Sequence, residues 1–145
     1  MNLFDVIFRS LFFQNGNFTE SMKYLSKQGA TAIHALRRAV YNQNMRIDII
    51  MKLFDALIVP IITYGAEVWF PLTRNLNNNF KMTDIFSNTL SNFYSYENVH
   101  TKFCKQILGV HKKAMILPTL GELGRFPLSI KILPQMISLI NGIIT

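Results

Sequence analysis

The side chains best suited to chemistry in this chain are few and scattered. His100 and Cys104 stand four residues apart, with His111 further along. A metal ion held there would need a fourth ligand that the neighbouring sequence does not offer, so the pair reads as a surface histidine beside a half-buried thiol. As base and nucleophile the same two residues lack an orienting third group and an oxyanion donor. Polymerase-type and nuclease-type reactions require clustered carboxylates around paired metal ions. Here Asp48 and Asp55 are seven residues apart and Glu67 and Glu122 are isolated, a pattern of solvated or capping acids. Gly121-Glu122-Leu123-Gly124-Arg125 has two glycines but neither the spacing nor the lysine of a phosphate-cradling loop, and reads as a bend carrying an arginine. No residue stands out as catalytic.

The cationic side chains are a stronger signal. Lys23, Lys27, Arg37 and Arg38 occupy one dense stretch, and Lys102, Lys105, Lys112 and Lys113 another. Such groups neutralise phosphates without reading bases. The whole chain has 15 basic and 8 acidic residues, a formal charge of +7. That balance favours an acidic partner, with nucleic acid first and an anionic membrane surface second. The plain alternative is a solvated basic surface with no specific partner. Cys104 has no second cysteine to pair with, which excludes an internal disulfide and a cysteine-based zinc site and fits a reducing compartment.

The elements that must position these groups are helical. At 145 residues the chain suits one domain, and a globular chain of that size buries roughly 70% of its unfolded surface. The uncharged run Ala56–Ala66 is shorter than the ~20 residues a spanning helix needs and is interrupted by Pro60. Asp5 and Arg9 break the apolar N-terminus, which does not read as a signal peptide. Residues 1–18 suggest a strand entering an Asn15-Gly16 turn or a truncated hairpin. A first helix is predicted from about Thr19 to Tyr41, with Met22, Leu25, Gly29, Ala32, Ile33, Leu36 and Val40 on one face. Asn42-Gln43-Asn44 breaks it, and the short connection predicts an antiparallel hairpin with a second helix from Ile47 or Asp48. In that second helix Ile50, Leu53, Phe54, Leu57, Ile58, Ile61 and Ile62 form an apolar face, which Pro60 should kink.

Residues 71–96 are rich in Asn and read as a loop or insertion, with a short helix at 83–90. A third helix opens at Glu97, buries Val99, Phe103, Ile107 and Leu108, and ends at a left-handed Gly109. A short helix at 118–123 and a final one from Pro127, with Ile130, Leu133, Ile137 and Ile140 inward, complete the chain. The expected fold is mainly α: a bundle of about four to five helices with a short N-terminal strand or hairpin and an Asn-rich loop. Its parts are 1–18, a helical hairpin at 19–70, the loop at 71–96 and a helical region at 97–145.

Four ordered segments also resemble a known family. LFDALIVPIITYGAEVW closely resembles the segment that follows the palm in reverse transcriptases of LINE-like, non-LTR retrotransposons. QNGNFTESMKYLSKQGATAIHALRR resembles the upstream turn and first thumb helix of those enzymes, and VHTKFCKQILGVHKK and LGELGRFPLSIKI resemble their downstream block. The resemblance covers about Leu11 to Ile132. It implies a thumb and the helices after it, holding an RNA–DNA or DNA duplex against a palm with little sequence preference. The family's magnesium-binding aspartates lie in fingers and palm regions that this sequence lacks, so no cofactor and no polymerisation are expected of it alone. Those missing regions are a further implied partner. The resemblance assigns the duplex contact first to the helix bearing Lys23, Lys27, Arg37 and Arg38, then to Lys102, Lys105, Lys112 and Lys113.

Overall fold

The heptad-like face of the first helix finds its partner as soon as the chain turns back. A computed structural model describes residues 18–66 and 95–144, and within them the chain forms five helices and no strand. Helix α1 spans Phe18–Val40. It buries Met22, Leu25, Ile33 and Leu36, the face expected from their spacing. A connection over residues 41–46 follows, with Asn44 at φ +42°, a left-handed conformation that asparagine tolerates. Helix α2 then returns in three parts: an α segment Ile47–Leu53, a π-helical turn Phe54–Ile58 and an α segment Val59–Ile62. Gly29 lets the two helices of this antiparallel pair close on each other. A Cβ at that position would lie 2.6 Å from Ile62 Cγ1.

The π-helical turn is where the sequence pattern and the structure part. Pro60 cannot donate a backbone hydrogen bond, so the turn before it cannot complete a regular α ladder. Instead the Val59 amide bonds the Phe54 carbonyl, five residues back. The irregularity takes the form of this wide turn one step upstream of the proline. The extra residue shifts the helical phase. Phe54, Ile58 and Ile62 are buried, whereas Leu57, expected on the same face, is 53% exposed.

Helix α3 spans Ser95–Leu108 and starts two residues before the predicted Glu97. Its C-terminus is the expected left-handed glycine cap: Gly109 has φ +67°, its amide bonds Gln106 and the Val110 amide bonds Lys105. Its buried side is rotated from expectation. Tyr96, Glu97, His100, Thr101, Phe103 and Cys104 face the interior, and Ile107 and Leu108 are only half-buried. Helix α4, Ile116–Glu122, ends in the same kind of cap, with Gly124 at φ +61° and the Arg125 amide bonded to the Leu120 carbonyl. Helix α5, Leu128–Ile144, contains Pro134 and buries Leu128, Ile132 and Leu133. Ile137, expected inward, is 53% exposed, while Met136 beside it packs against the core.

One apolar core draws on all five helices, with Phe54, Tyr96, Phe103, Leu128 and Ile132 almost fully enclosed. Phe54 stacks on Phe103 at 4.5 Å between centroids. Full burial of such a ring is worth about 2–3 kcal/mol by area alone. No described helix is long and apolar enough to cross a membrane. The predicted N-terminal strand or hairpin, the Asn-rich loop up to Tyr94 and the helix at 83–90 lie outside the described residues.

Candidate nucleic-acid interface

Two polar systems lie on opposite sides of α3, one sealed in the core and one open to solvent. The sealed one is centred on Arg125, which the α4 cap turns inward. Its guanidinium forks onto Asp55 of α2, Nη1 to Oδ2 at 3.0 Å and Nη2 to Oδ1 at 2.6 Å. Its Nε–H donates to His100 Nε2 at 3.0 Å. Arginine has nothing to accept with, so Nε2 is the bare nitrogen and the imidazole proton sits on Nδ1. His100 Nδ1 lies 3.6 Å from Glu97 Oε2, just beyond hydrogen-bond reach. The other oxygen, Glu97 Oε1, accepts from the Ser129 amide at 2.8 Å and the Ser129 hydroxyl at 3.1 Å. Tyr96 and Ser129 share a hydroxyl hydrogen bond of 2.8 Å. The Phe54 ring lies under both His100 (5.6 Å) and the Arg125 guanidinium (5.5 Å).

This chain of side chains ties α2, α3 and the start of α5 together. His100 and Cys104, expected at the surface and half-buried, are fully enclosed. Glu97 is likewise no surface acid: it is fully buried and accepts from the buried Ser129 amide in the first turn of α5. Burial alone would raise the Asp55 pKa, but hydrogen bonds from Arg125 and Lys131 outweigh it and hold the carboxyl below its ordinary value. Burial pushes the Cys104 thiol up to about 12, away from any nucleophilic role at neutral pH. Among the described residues no three His, Cys, Asp or Glu side chains gather as a metal-binding group. The sealed system therefore holds helices in place rather than presenting groups to a substrate.

The open system contains the predicted cations. All eight are at least partly exposed. Lys23 is the only one with an acidic partner among the described residues, Glu20 at 3.1 Å, and both side chains are about 60% exposed. Lys27 lies ten residues before Arg37, so roughly 15 Å up the helix axis, and neither Lys23 nor Lys27 lines the cavities that the other cations share. Arg37 and Arg38 are different. They lie in the last turn of α1, where the helix dipole favours cations, and with His34 and Tyr41 they line a cavity of about 300 Å³.

Arg37 Nη1 also reaches Gln106 Oε1 of α3 at 3.4 Å, joining the end of α1 to the end of α3. Gln106 in turn lines a larger cavity of about 600 Å³ with Lys102, Lys105, Lys112, Lys113, Asn98, Thr101 and Val110. The wall of that cavity is fixed locally. The Gly109 cap turns the chain back, Lys105 Nζ donates to the Lys112 carbonyl at 2.9 Å, and the Lys113 amide donates to His111 Nδ1 at 3.2 Å. No Asp or Glu lines either cavity among the described residues. Packing thus gathers six of the eight predicted residues and leaves Lys23 and Lys27 apart. His34, Tyr41, Asn98, Thr101 and Gln106 were not foreseen; only Tyr41, beside the Asn42-Gln43-Asn44 break, carried a sequence signal.

No protein-family model, no curated protein and no solved structure matches this chain.

Proposed function

We propose that this chain is a non-catalytic nucleic-acid-gripping module, resembling the thumb region of a non-LTR retrotransposon reverse transcriptase, that holds a template–primer duplex through its phosphates. The observation that carries the reading is the Arg37–Gln106 contact, which joins two basic stretches across 69 positions into one surface lined by no acid among the described residues. A paired cation is already neutralised, whereas Arg38, Lys102, Lys112 and Lys113 form no ion pair among the described residues and remain available to phosphate oxygens. The four ordered motifs of the sequence supply the likeness to a thumb. The duplex and the fingers and palm of such an enzyme are the partners this reading names.

The test is titration of an RNA–DNA hybrid at rising salt. Binding should weaken steeply as salt increases, and replacing one phosphate-contacting lysine of the Lys102–Lys113 cluster with alanine should lower the logarithmic salt slope by about one. An absence of binding at low salt, or an affinity indifferent to salt, rejects the reading.

A second reading has its own observation. Ile137, Leu139, Ile143 and Ile144 of α5 are exposed, and the groove between α5 and the end of α2 measures about 990 Å³. A helical packing module without nucleic-acid function would use that face. Concentration-dependent self-association in sedimentation, with indifference to nucleic acid, is its signature.

A further inference from the structure

The cavity at the end of α1 has a property that duplex binding does not use. Tyr41 is the first residue past the helix, its amide still bonded to the Arg37 carbonyl at 2.9 Å. Its side chain is 87% exposed, the most exposed large apolar side chain among the described residues. It shares its cavity with an imidazole and two guanidinium groups and, among the described residues, with no carboxylate. An exposed aromatic face set among cations suits a flat π-system joined to negative charge, which describes a nucleotide. Within a duplex the faces of the bases are already stacked on one another, so away from a duplex end a base must be unpaired to lie on Tyr41.

The neighbouring cavity gives that nucleotide somewhere to continue. Arg37 lines the Tyr41 cavity, its hydrogen-bond partner Gln106 lines the lysine cavity, and the pair forms the boundary between them. A strand with one base on Tyr41 can run its backbone past Arg37 and into the space faced by Lys102, Lys105, Lys112 and Lys113. Asn98, Thr101 and Gln106 add neutral hydrogen-bonding groups for sugar or phosphate along that path.

We infer that the linked cavities form a subsite for single-stranded nucleic acid, with an unpaired base stacked on Tyr41 and its phosphates on the α3 lysines. The inference rests on the nucleic-acid reading and narrows it: the preferred ligand is a duplex with a single-stranded extension, not a blunt one.

The experiment compares three probes at low salt: a blunt RNA–DNA hybrid, the same hybrid with a short overhang containing 2-aminopurine, and the overhang strand alone. The overhang hybrid should bind about tenfold tighter than the blunt one, the scale of one base stacked on an aromatic side chain. The 2-aminopurine fluorescence should be quenched on binding. Tyr41→Ala should bring the affinity ratio to about one and remove the quench, while Tyr41→Phe, which keeps the ring, should retain both. Circular dichroism verifies that the variants are folded, as expected for a side chain this exposed. Equal affinities for blunt and overhang hybrids overturn the inference and leave the nucleic-acid reading standing, as does a quench that survives in Tyr41→Ala. Failure to bind any of the three probes overturns both together.

Discussion

Arg125 shows how much one side chain can organise. It is 9% exposed and supplies two hydrogen bonds to Asp55 and one to His100 while covering the face of Phe54. Removing it strands a carboxylate that is 37% exposed and still has Lys131 at 3.1 Å, so the cost falls below that of breaking a wholly buried pair. Arg125→Ala should lose about 2–3 kcal/mol of stability in chemical denaturation. Arg125→Lys should recover less than half of that, because an ammonium has no planar fork to serve Asp55 and His100 together. The same site sets the acid limb of stability. The Asp55 pKa is lower folded than unfolded, so its contribution is complete above the ordinary carboxylate value of 3.8 and is lost as the pH falls through the depressed one. Asp55→Asn should flatten that limb in a pH series of unfolding curves. Cys104 acts at the other end. Its thiol favours the protonated form when folded, so stability should decline as the pH rises from 9.0 towards 12, and Cys104→Ala should remove that decline.

Among the elements, the α1–α2 pair depends on the absence of a side chain. An added Cβ at Gly29 would meet Ile62 Cγ1, which is close to its own backbone, on a residue only 1% exposed. Ile62 has little room to swing aside, so the overpacking should exceed the helix propensity that alanine gains. Gly29→Ala should therefore destabilise by about 1 kcal/mol, and Gly29→Ala with Ile62→Ala should cost less than the sum of the two, read from a double-mutant cycle. The face of α1 was legible in the sequence because a regular helix repeats its pattern without interruption. That of α2 was legible only in part, since the π-helical turn inserts a residue and carries Leu57 outward. The inward side of α3 was hidden for another reason. Glu97 and His100 count as surface residues in any apolar pattern, and their enclosure depends on Arg125 and Ser129, some thirty positions later. The Gly109 cap, by contrast, is local chemistry and was read directly. Among the cations the residue types were visible, but which of them meet depends on α1 packing against α3, and no spacing within either stretch records that.

At the scale of the molecule, a single core shared by five helices joins these parts into one cooperative body. Helicity by circular dichroism and labelling of the enclosed Cys104 should then report the same denaturant midpoint; separate midpoints would show that α5 or the α1–α2 pair opens alone. The distribution of charge supports a division of labour. Among the described residues Glu97 is buried, Glu20, Asp48 and Asp55 are each held by a cation, and no acid pairs with the cations at the ends of α1 and α3; the Lys23–Glu20 pair lies further up α1. The face at the ends of α1 and α3 is consequently positive.

The carboxylate of Glu97 also orders events in time. A ribosome completes α3 before it begins α5, so the group that will satisfy the Ser129 amide is already made when that helix emerges. Pro127, the residue before α5, has no side-chain oxygen with which to cap it, and the first turn of α5 carries no acid. During synthesis α3 would wait with an acid on its inward side, kept in water until the last helix arrives to cover it. The seventeen residues of α5 thus act as a closing latch whose catch lies on an older part of the chain.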